Sequence, residues 1–329
     1  MAKRGLSGIK PSAEMLHLGN WFGAVQQFVE LQRTEDNYIF IADFHALTTI
    51  SDAAQLRANA REIALEYLAC GLDPAKTVLW RQSDVPEVCE LAWLLACATP
   101  MPLLERAHAY KAAQDAGREV SMGLFNYPVL MAADILMFES DLVPVGEDQV
   151  QHIEMTRDMA QKFNLRCGRE VLKLPAPRVV SGVAKVPGID GQKMSKSYGN
   201  TIGLFEPAGA IKKKVMRIVT DSTEMGTPLN PETCNVFALH KLFDAGDLDD
   251  LRERYLAGSI GYGESKKLLV PKVLEGLAPQ RDKYEELRQD LSYVEDVLAD
   301  GARRARLVAA RTMAAVREAT GFADPPGAR

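Results

Sequence analysis

The sequence has no apolar run near the ~20 residues that a bilayer-spanning helix needs. Residues 1–5 include two basic residues but no apolar stretch follows them, so the pattern of a secretory signal is missing. Only five of the 329 residues are cysteines, and none form a C-x-x-C pair. This count favours neither a disulfide framework nor a zinc or iron–sulfur site. We therefore expect a cytoplasmic protein with no membrane partner and no protein-bound structural metal.

The sequence also has no large excess of charge of either sign. It has 39 lysines and arginines and 44 aspartates and glutamates, which give a formal net charge of −5 at pH 7. That balance excludes non-specific wrapping of nucleic acid but allows local basic patches. The chain is 47% hydrophobic and 25% charged, as globular proteins are. At this length a chain commonly divides into two domains.

Up to about residue 205, short apolar runs alternate with helical patterns. Residues 38–42 and 77–80 read as buried strands, with a helical period over residues 56–68 between them and Gly71 suited to the position just after that helix. Strand, helix and strand imply a right-handed crossover and a parallel sheet, which binds ligands at the carboxyl ends of its strands. After Pro207 the strand patterns disappear and only helical ones remain. An α/β domain followed by a helical domain is the prediction.

The first candidate motif is the run PSAEMLHLGN over residues 11–20, between an apolar run at residues 6–9 and a helical pattern over residues 21–29. A strand, a loop and a helix start with a glycine in it form a phosphate site, because free backbone N–H groups and the helix dipole favour anions. Taken alone, this run is more typical of a buried histidine, His17, that caps a helix than of a nucleotide site.

The second candidate motif is GQKMSKSYGN over residues 191–200. Its lysines, Lys193 and Lys196, lie three residues apart between serines and glycines, so the loop can place two ammonium groups on a polyphosphate. The alternative is a solvated lysine-rich loop.

Together, in this order and about 175 residues apart, the two runs resemble the signature motifs of class I aminoacyl-tRNA synthetases. Residues 127–136, 143–149 and 151–152 are similar to segments of the bacterial members specific for tryptophan. The resemblance implies a Rossmann-like catalytic domain over residues 1–205 and a helical anticodon-binding domain over residues 206–329, whose last helix is a candidate to pack back on the catalytic domain. It also implies activation of L-tryptophan by ATP with Mg²⁺, transfer to the 3′ end of tRNA(Trp), and a homodimer.

The resemblance also implies roles for individual residues. The catalytic residues it implies are Lys193, Lys196 and His17. The ATP contacts it implies are Lys10, Pro11, Ser12, His17, Gly19, Asn20, Lys111, Gly146, Glu147, Asp148, Val186, Lys193, Met194, Ser195, Lys196 and Ser197. The tryptophan contacts it implies are Leu6, His45, Tyr127, Met131, Asp134, Val145 and Gln149.

Asp134 supports the choice of amino acid from chemistry as well. Tyr127, Met131 and Asp134 fall at i, i+4 and i+7 of one helix face. Tyr127 and Met131 at that spacing suit a plain core equally well. A carboxylate among apolar neighbours needs a hydrogen-bond donor, and an indole N–H is a donor only.

Other charged residues leave two interpretations open. Asp148 follows a predicted strand, and it suits either a ribose or amine contact or a helix N-cap. Lys111 suits either ATP phosphate or a solvated helix end. Residues 212–214 and the cluster of Arg303, Arg304, Arg306 and Arg311 suit either tRNA phosphates or ordinary surface charge.

Three features depart from the tryptophan branch of the family: Lys10 stands where glutamine is common, Leu6 where an aromatic residue is common, and the run over residues 11–17 is one residue longer. That last spacing is typical of tyrosine enzymes. A tyrosine enzyme is therefore one alternative, although a phenol would call for a polar partner where Met131 stands. A non-catalytic RNA-binding relative is the other, although it would have no need of Lys196 and His17.

Overall fold

The computed structural model describes residues 3–11, 15–117, 119–145, 150–179 and 186–322. Its sheet has five parallel strands in the order β3-β2-β1-β4-β5, with Leu6 opposite Tyr38 and Tyr38 opposite Val78. The predicted Rossmann-like parallel sheet is confirmed. The strands are β1 (Arg4–Ile9), β2 (Asp36–Ile41), β3 (Thr77–Arg81), β4 (Leu142–Val145) and β5 (Ala176–Val179).

Helices cover both faces of this sheet, and after β5 the described chain consists of helices and the loops that connect them. Those up to β5 are α1 (Leu18–Asn20), α2 (Gln26–Leu31), α3 (Asp43–Ala46), α4 (Ala53–Ala69), α5 (Glu87–Ala98), α6 (Met101–Leu104), α7 (His108–Asp115), α8 (Met122–Phe125), α9 (Tyr127–Met137) and α10 (Val150–Cys167). Those after β5 are α11 (Ala208–Met216), α12 (Asn235–Leu242), α13 (Leu248–Leu256), α14 (Tyr262–Gly276), α15 (Ala278–Gln289) and α16 (Leu291–Thr320). A π-helical turn, Trp21–Val25, joins α1 to α2. Within the described residues, no helix is both long and apolar enough to cross a bilayer.

Helix α4 shows how local sequence sets its ends. The Asp52 side chain caps the start by accepting a hydrogen bond from the backbone N–H of Gln55. The helix ends where Gly71 adopts a φ of 100°, a backbone conformation that residues with a Cβ rarely reach. The predicted helix and its stop are confirmed.

The last helix, α16, runs along the edge strand β3. Its first half packs in the apolar core on one face of the sheet, and its second half packs in the core on the other face. Gly301 marks the crossing point, because a Cβ there would lie 1.8 Å from the backbone oxygen of Leu79. Helix α16 thereby covers an edge strand that would otherwise be open to pairing with another chain.

Candidate active site

A cavity of about 280 Å³ opens at the carboxyl ends of β1, β2 and β4, where the strand order changes direction. Helices α3 and α9 and Phe28 of α2 supply its other walls. The residues that line it are Leu6, Ser7, Gly8, Lys10, Phe28, Phe40, Ala42, His45, Tyr127, Met131, Asp134, Ile135, Val143 and Pro144. The fold thus gathers Leu6, His45, Tyr127, Met131 and Asp134, all predicted as amino-acid contacts, in one cavity.

Asp134 is the most buried polar group of this cavity, at 2% exposure. One carboxylate oxygen accepts a hydrogen bond from Gln82 Nε2 at 2.7 Å, and the other lies 2.8 Å from His45 Nε2. Burial raises the pKa of Asp134, while the hydrogen bonds from His45 and Gln82 oppose that shift. A carboxylate has about four acceptor positions, so two protein donors leave room for a ligand donor.

Gln82 is a site residue that sequence reasoning missed. The backbone N–H of Phe44 donates to its amide oxygen at 3.1 Å, which fixes the side-chain orientation and directs the amide N–H toward Asp134. The Asp43 carboxylate also contacts the segment after β3, because it accepts a hydrogen bond from the backbone N–H of Ser83 at 2.9 Å. The position of Gln82 just after a strand was the available signal, because polar residues there face the ligand edge.

Aromatic and thioether groups form the side of the cavity. The rings of His45 and Tyr127 meet edge to face with centroids 4.4 Å apart. Burial and the nearby Asp134 raise the pKa of the Tyr127 hydroxyl. Met131 lies half-buried one helical turn after Tyr127. This wall suits a flat apolar ring with one polar atom.

His17 heads a tight turn at the start of α1. Its Nδ1 accepts from the backbone N–H of Asn20 at 3.3 Å, while its own backbone N–H donates to Asn20 Oδ1 at 3.1 Å. Burial, with the cations Lys196 and Lys214 nearby, lowers the His17 pKa to about 4. The imidazole is therefore neutral at pH 7, and because Nδ1 is an acceptor, Nε2 carries the proton. Its Nε2–H can donate a hydrogen bond to a phosphate oxygen.

The two motifs lie side by side in the fold. The backbone N–H of Leu18 donates to Ile202 O at 3.0 Å, and that of Leu204 donates to Leu16 O at 2.8 Å. These bonds tie the His17 turn to the chain that directly follows the lysine loop. A polyphosphate in this region would therefore meet groups from both motifs.

The lysine loop is held from within by Asn200, which is buried. Its Oδ1 accepts from Ser195 N at 2.8 Å, and its Nδ2 donates to Asp190 Oδ1 at 2.7 Å and to Lys193 O at 3.2 Å. Met194 and Val186 are buried in the core, joined by a backbone hydrogen bond of 2.9 Å. Lys193 is exposed and Lys196 is half-buried.

Glu66 of α4 was also missed. It is 1% exposed, and its Oε2 accepts from the backbone N–H of Leu16 at 3.0 Å, directly before His17. Burial, aided by the neighbouring Glu62, raises the Glu66 pKa to about 8. The signal was a glutamate within the apolar run over residues 63–68.

The other predicted contacts are placed as follows. Lys10 lines the cavity, Pro11 is buried beside it in the chain, and Lys111 is exposed on α7 outside the cavity lining. Gly19 and Asn20 belong to the His17 turn, and Ser195 and Ser197 face each other at 2.9 Å between hydroxyl oxygens. Predictions for Ser12, Gly146, Glu147, Asp148, Gln149 and the Val145 side chain lie outside the described residues. Among the residues that are described, no three histidine, cysteine, aspartate or glutamate side chains could hold a metal ion.

Comparison with known proteins shows the family to which the chain is similar. The family model described as class I tRNA synthetases for W and Y matches residues 3–276. A tryptophan–tRNA ligase of Fusobacterium nucleatum is 49% identical over 97% of this chain and 98% of its own length, and one of Rhodopirellula baltica is 50% identical over 97% and 99%. The structure of tryptophanyl-tRNA synthetase from Campylobacter jejuni, complexed with ADP and tryptophan, superposes with a TM-score of 0.92 at 46% identity, covering 97% of this chain and 100% of that one.

Proposed function

Because this chain belongs to the class I tRNA synthetases for tryptophan and tyrosine, we propose that its sheet cavity binds L-tryptophan next to an ATP site formed by the His17 turn and the loop over residues 193–197. The activity is that of a tryptophan–tRNA ligase. The enzyme joins tryptophan to ATP as tryptophanyl-adenylate with release of pyrophosphate, and then transfers tryptophan to the 3′ end of tRNA(Trp).

The burial and remaining acceptor capacity of Asp134 are the observation that assigns the cavity to tryptophan. Its carboxylate is buried at the closed end and retains acceptor capacity, so an indole N–H can donate to it. A phenol donates and accepts at once, and Met131 offers its oxygen no good donor. The cavity chemistry therefore favours tryptophan over tyrosine.

The first step needs no general base, because the tryptophan carboxylate is already ionised. One carboxylate oxygen attacks the α-phosphorus of ATP, and the bond from that phosphorus to the pyrophosphate oxygen breaks. Lys193 and Lys196 stabilise the negative charge that grows on pyrophosphate, and neutral His17 donates Nε2–H to a phosphate oxygen. Mg²⁺ accompanies ATP as part of the substrate.

In the second step the terminal ribose hydroxyl of tRNA attacks the carbonyl carbon of the adenylate, and AMP leaves. We assign tRNA binding, and reading of the anticodon, to the helices over residues 206–329. The exposed lysines Lys212 and Lys213 of α11 are candidates for phosphate contacts. Arg304 and Arg306 of α16 donate instead to the backbone oxygens of Pro74 and Asp84, so they hold α16 on the catalytic domain.

The proposed assembly is a homodimer in the cytoplasm, where tRNA and ATP are found. Three large apolar side chains on α5, α6 and α8 support it, because Trp93 is 70%, Met101 62% and Met122 68% exposed. Contact with a second copy would remove such side chains from water.

ATP–pyrophosphate exchange, measured with tryptophan and tyrosine in parallel, tests the proposed specificity. Exchange that depends on tryptophan and is at least about 10²-fold less efficient with tyrosine is expected. Equal exchange with both amino acids would overturn the assignment of Asp134, and an absence of exchange with both would overturn the catalytic role of the two motifs.

A further inference from the structure

Lys10 places a cation at the open end of the amino-acid cavity. It directly follows β1 and lines the cavity, and its Nζ lies 3.4 Å from Thr48 Oγ1. That hydroxyl donates to the backbone oxygen of His45 at 2.8 Å, and His45 is the partner of Asp134. The ammonium group is thereby held beside the α3 wall of the cavity.

The charges along the cavity lie at opposite depths. Asp134 is 2% exposed and so marks the closed end of the cavity, whereas Lys10 is exposed and so marks its open end. Among the described residues that line the cavity, Lys10 is the one lysine or arginine. Protein atoms around the Lys10 amine exclude part of its water, and this desolvation lowers its pKa although the side chain as a whole is exposed.

Tryptophan has a matching arrangement of groups. With its indole N–H on the buried Asp134, its α-carboxylate would extend toward the exposed part of the cavity that Lys10 lines. The attack brings this anion against the α-phosphate of ATP, another anion, so a cation next to both would lower their repulsion.

We infer that Lys10 Nζ binds the α-carboxylate of tryptophan and holds it for attack on the α-phosphorus. This inference rests on the proposed function of the cavity. It gives Lys10 contact with the reacting group, in addition to the ATP contact expected from the family.

Equilibrium binding without ATP tests the inference. The probes are L-tryptophan and tryptamine, which keeps the indole and the amine but has no carboxylate. The proteins are the wild type, Lys10→Met, which keeps most of the side-chain length without the charge, and Lys10→Arg. Lys162→Met is the control, because Lys162 is an exposed lysine outside this cavity. Titration calorimetry reports both affinities, and melting temperatures report folding.

Lys10→Met should weaken tryptophan binding about 10-fold and leave tryptamine binding unchanged, as one charge-assisted hydrogen bond would account for. Lys10→Arg should restore part of the loss, and Lys162→Met should change neither affinity. Equal weakening of both probes would overturn the inference, because the effect would then be on the shape of the cavity. Unchanged affinity for both, with only the KM for ATP raised, would also overturn it.

The outcome is separable from that of the proposed function. Failure of the proposed function would appear as wild-type protein without tryptophan-dependent exchange. Failure of the Lys10 inference would appear as equal responses of the two probes in a protein whose exchange activity is intact.

Discussion

Replacing Asp134 with asparagine tests how the cavity recognises its substrate, because the change keeps the shape and removes the charge. In the wild type, the Asp134 carboxylate accepts hydrogen bonds from Gln82 at 2.7 Å and from His45 at 2.8 Å. Asparagine has one acceptor oxygen, so one donor loses its partner unless His45 moves its proton to Nδ1. That atom is buried with no hydrogen-bond partner in the described part of the chain, so the shift would leave a buried N–H unpaired.

Either route leaves one buried polar group without its partner. Such a loss costs about 1–3 kcal/mol in the free energy of unfolding. The total free energy of unfolding of a domain is about 5–15 kcal/mol, so the variant should still fold. The indole N–H also loses its acceptor when the asparagine N–H₂ faces it. The same cost predicts a rise of about 5- to 150-fold in the KM for tryptophan, with the KM for ATP nearly unchanged.

The assays are ATP–pyrophosphate exchange for both KM values and urea unfolding for stability. Gln82→Leu is the matched control, because it removes a donor to Asp134 but leaves the carboxylate for the indole. It should lower stability and affect the KM for tryptophan less than Asp134→Asn does.

An alanine that carries benzothiophene in place of indole supplies the sharper test, since its ring has no N–H. The wild type should discriminate against it, and Asp134→Asn should lose much of that discrimination. Equal discrimination by both proteins would refute the hydrogen bond between Asp134 and the indole.

Lys196→Ala should raise the activation free energy of adenylate formation by about 2–4 kcal/mol with tryptophan binding little changed, because this cation meets charge mainly in the transition state; a wild-type rate in pre-steady-state kinetics would contradict its role. Burial raises the Glu66 pKa from 4.5 to about 8, so the folded chain keeps a proton that the unfolded chain loses, and stability should fall as pH rises between those values, by at most about 1.4 kcal/mol per pH unit. Glu66→Gln should remove that slope in urea titrations at pH 5, 7 and 8.5, and a slope equal to that of the wild type would show that Glu66 does not cause it. Gly301→Ala should destabilise by more than about 3 kcal/mol or prevent folding, because its Cβ would strike the Leu79 backbone. Gly263→Ala, with open space around its Cβ, is the helical control and should be nearly neutral in thermal unfolding; equal effects of the two would refute this packing of α16.

The sequence alone determined the local elements and the reaction class. The strands β2 and β3, helix α4 and its end at Gly71 follow from apolar period and backbone preference, which act over a few residues. The two motifs and the tryptophan-branch segments identify the family, because their order and residue types can be read from the sequence without any knowledge of contacts. The carboxylate of Asp134 stood out for the same reason, as a charge in an apolar helix.

Only the tertiary structure decided which side chains meet. Gln82 reaches Asp134 across 52 residues of chain, Glu66 reaches Leu16 across 50, and the edge of β3 is covered by a helix that starts at Leu291. The order of strands in the sheet sets these meetings, and strand order leaves no period in the sequence. The sequence therefore predicted that Asp134 needs a donor, whereas its two protein donors, Gln82 and His45, became known only when the carboxyl ends of distant strands came together.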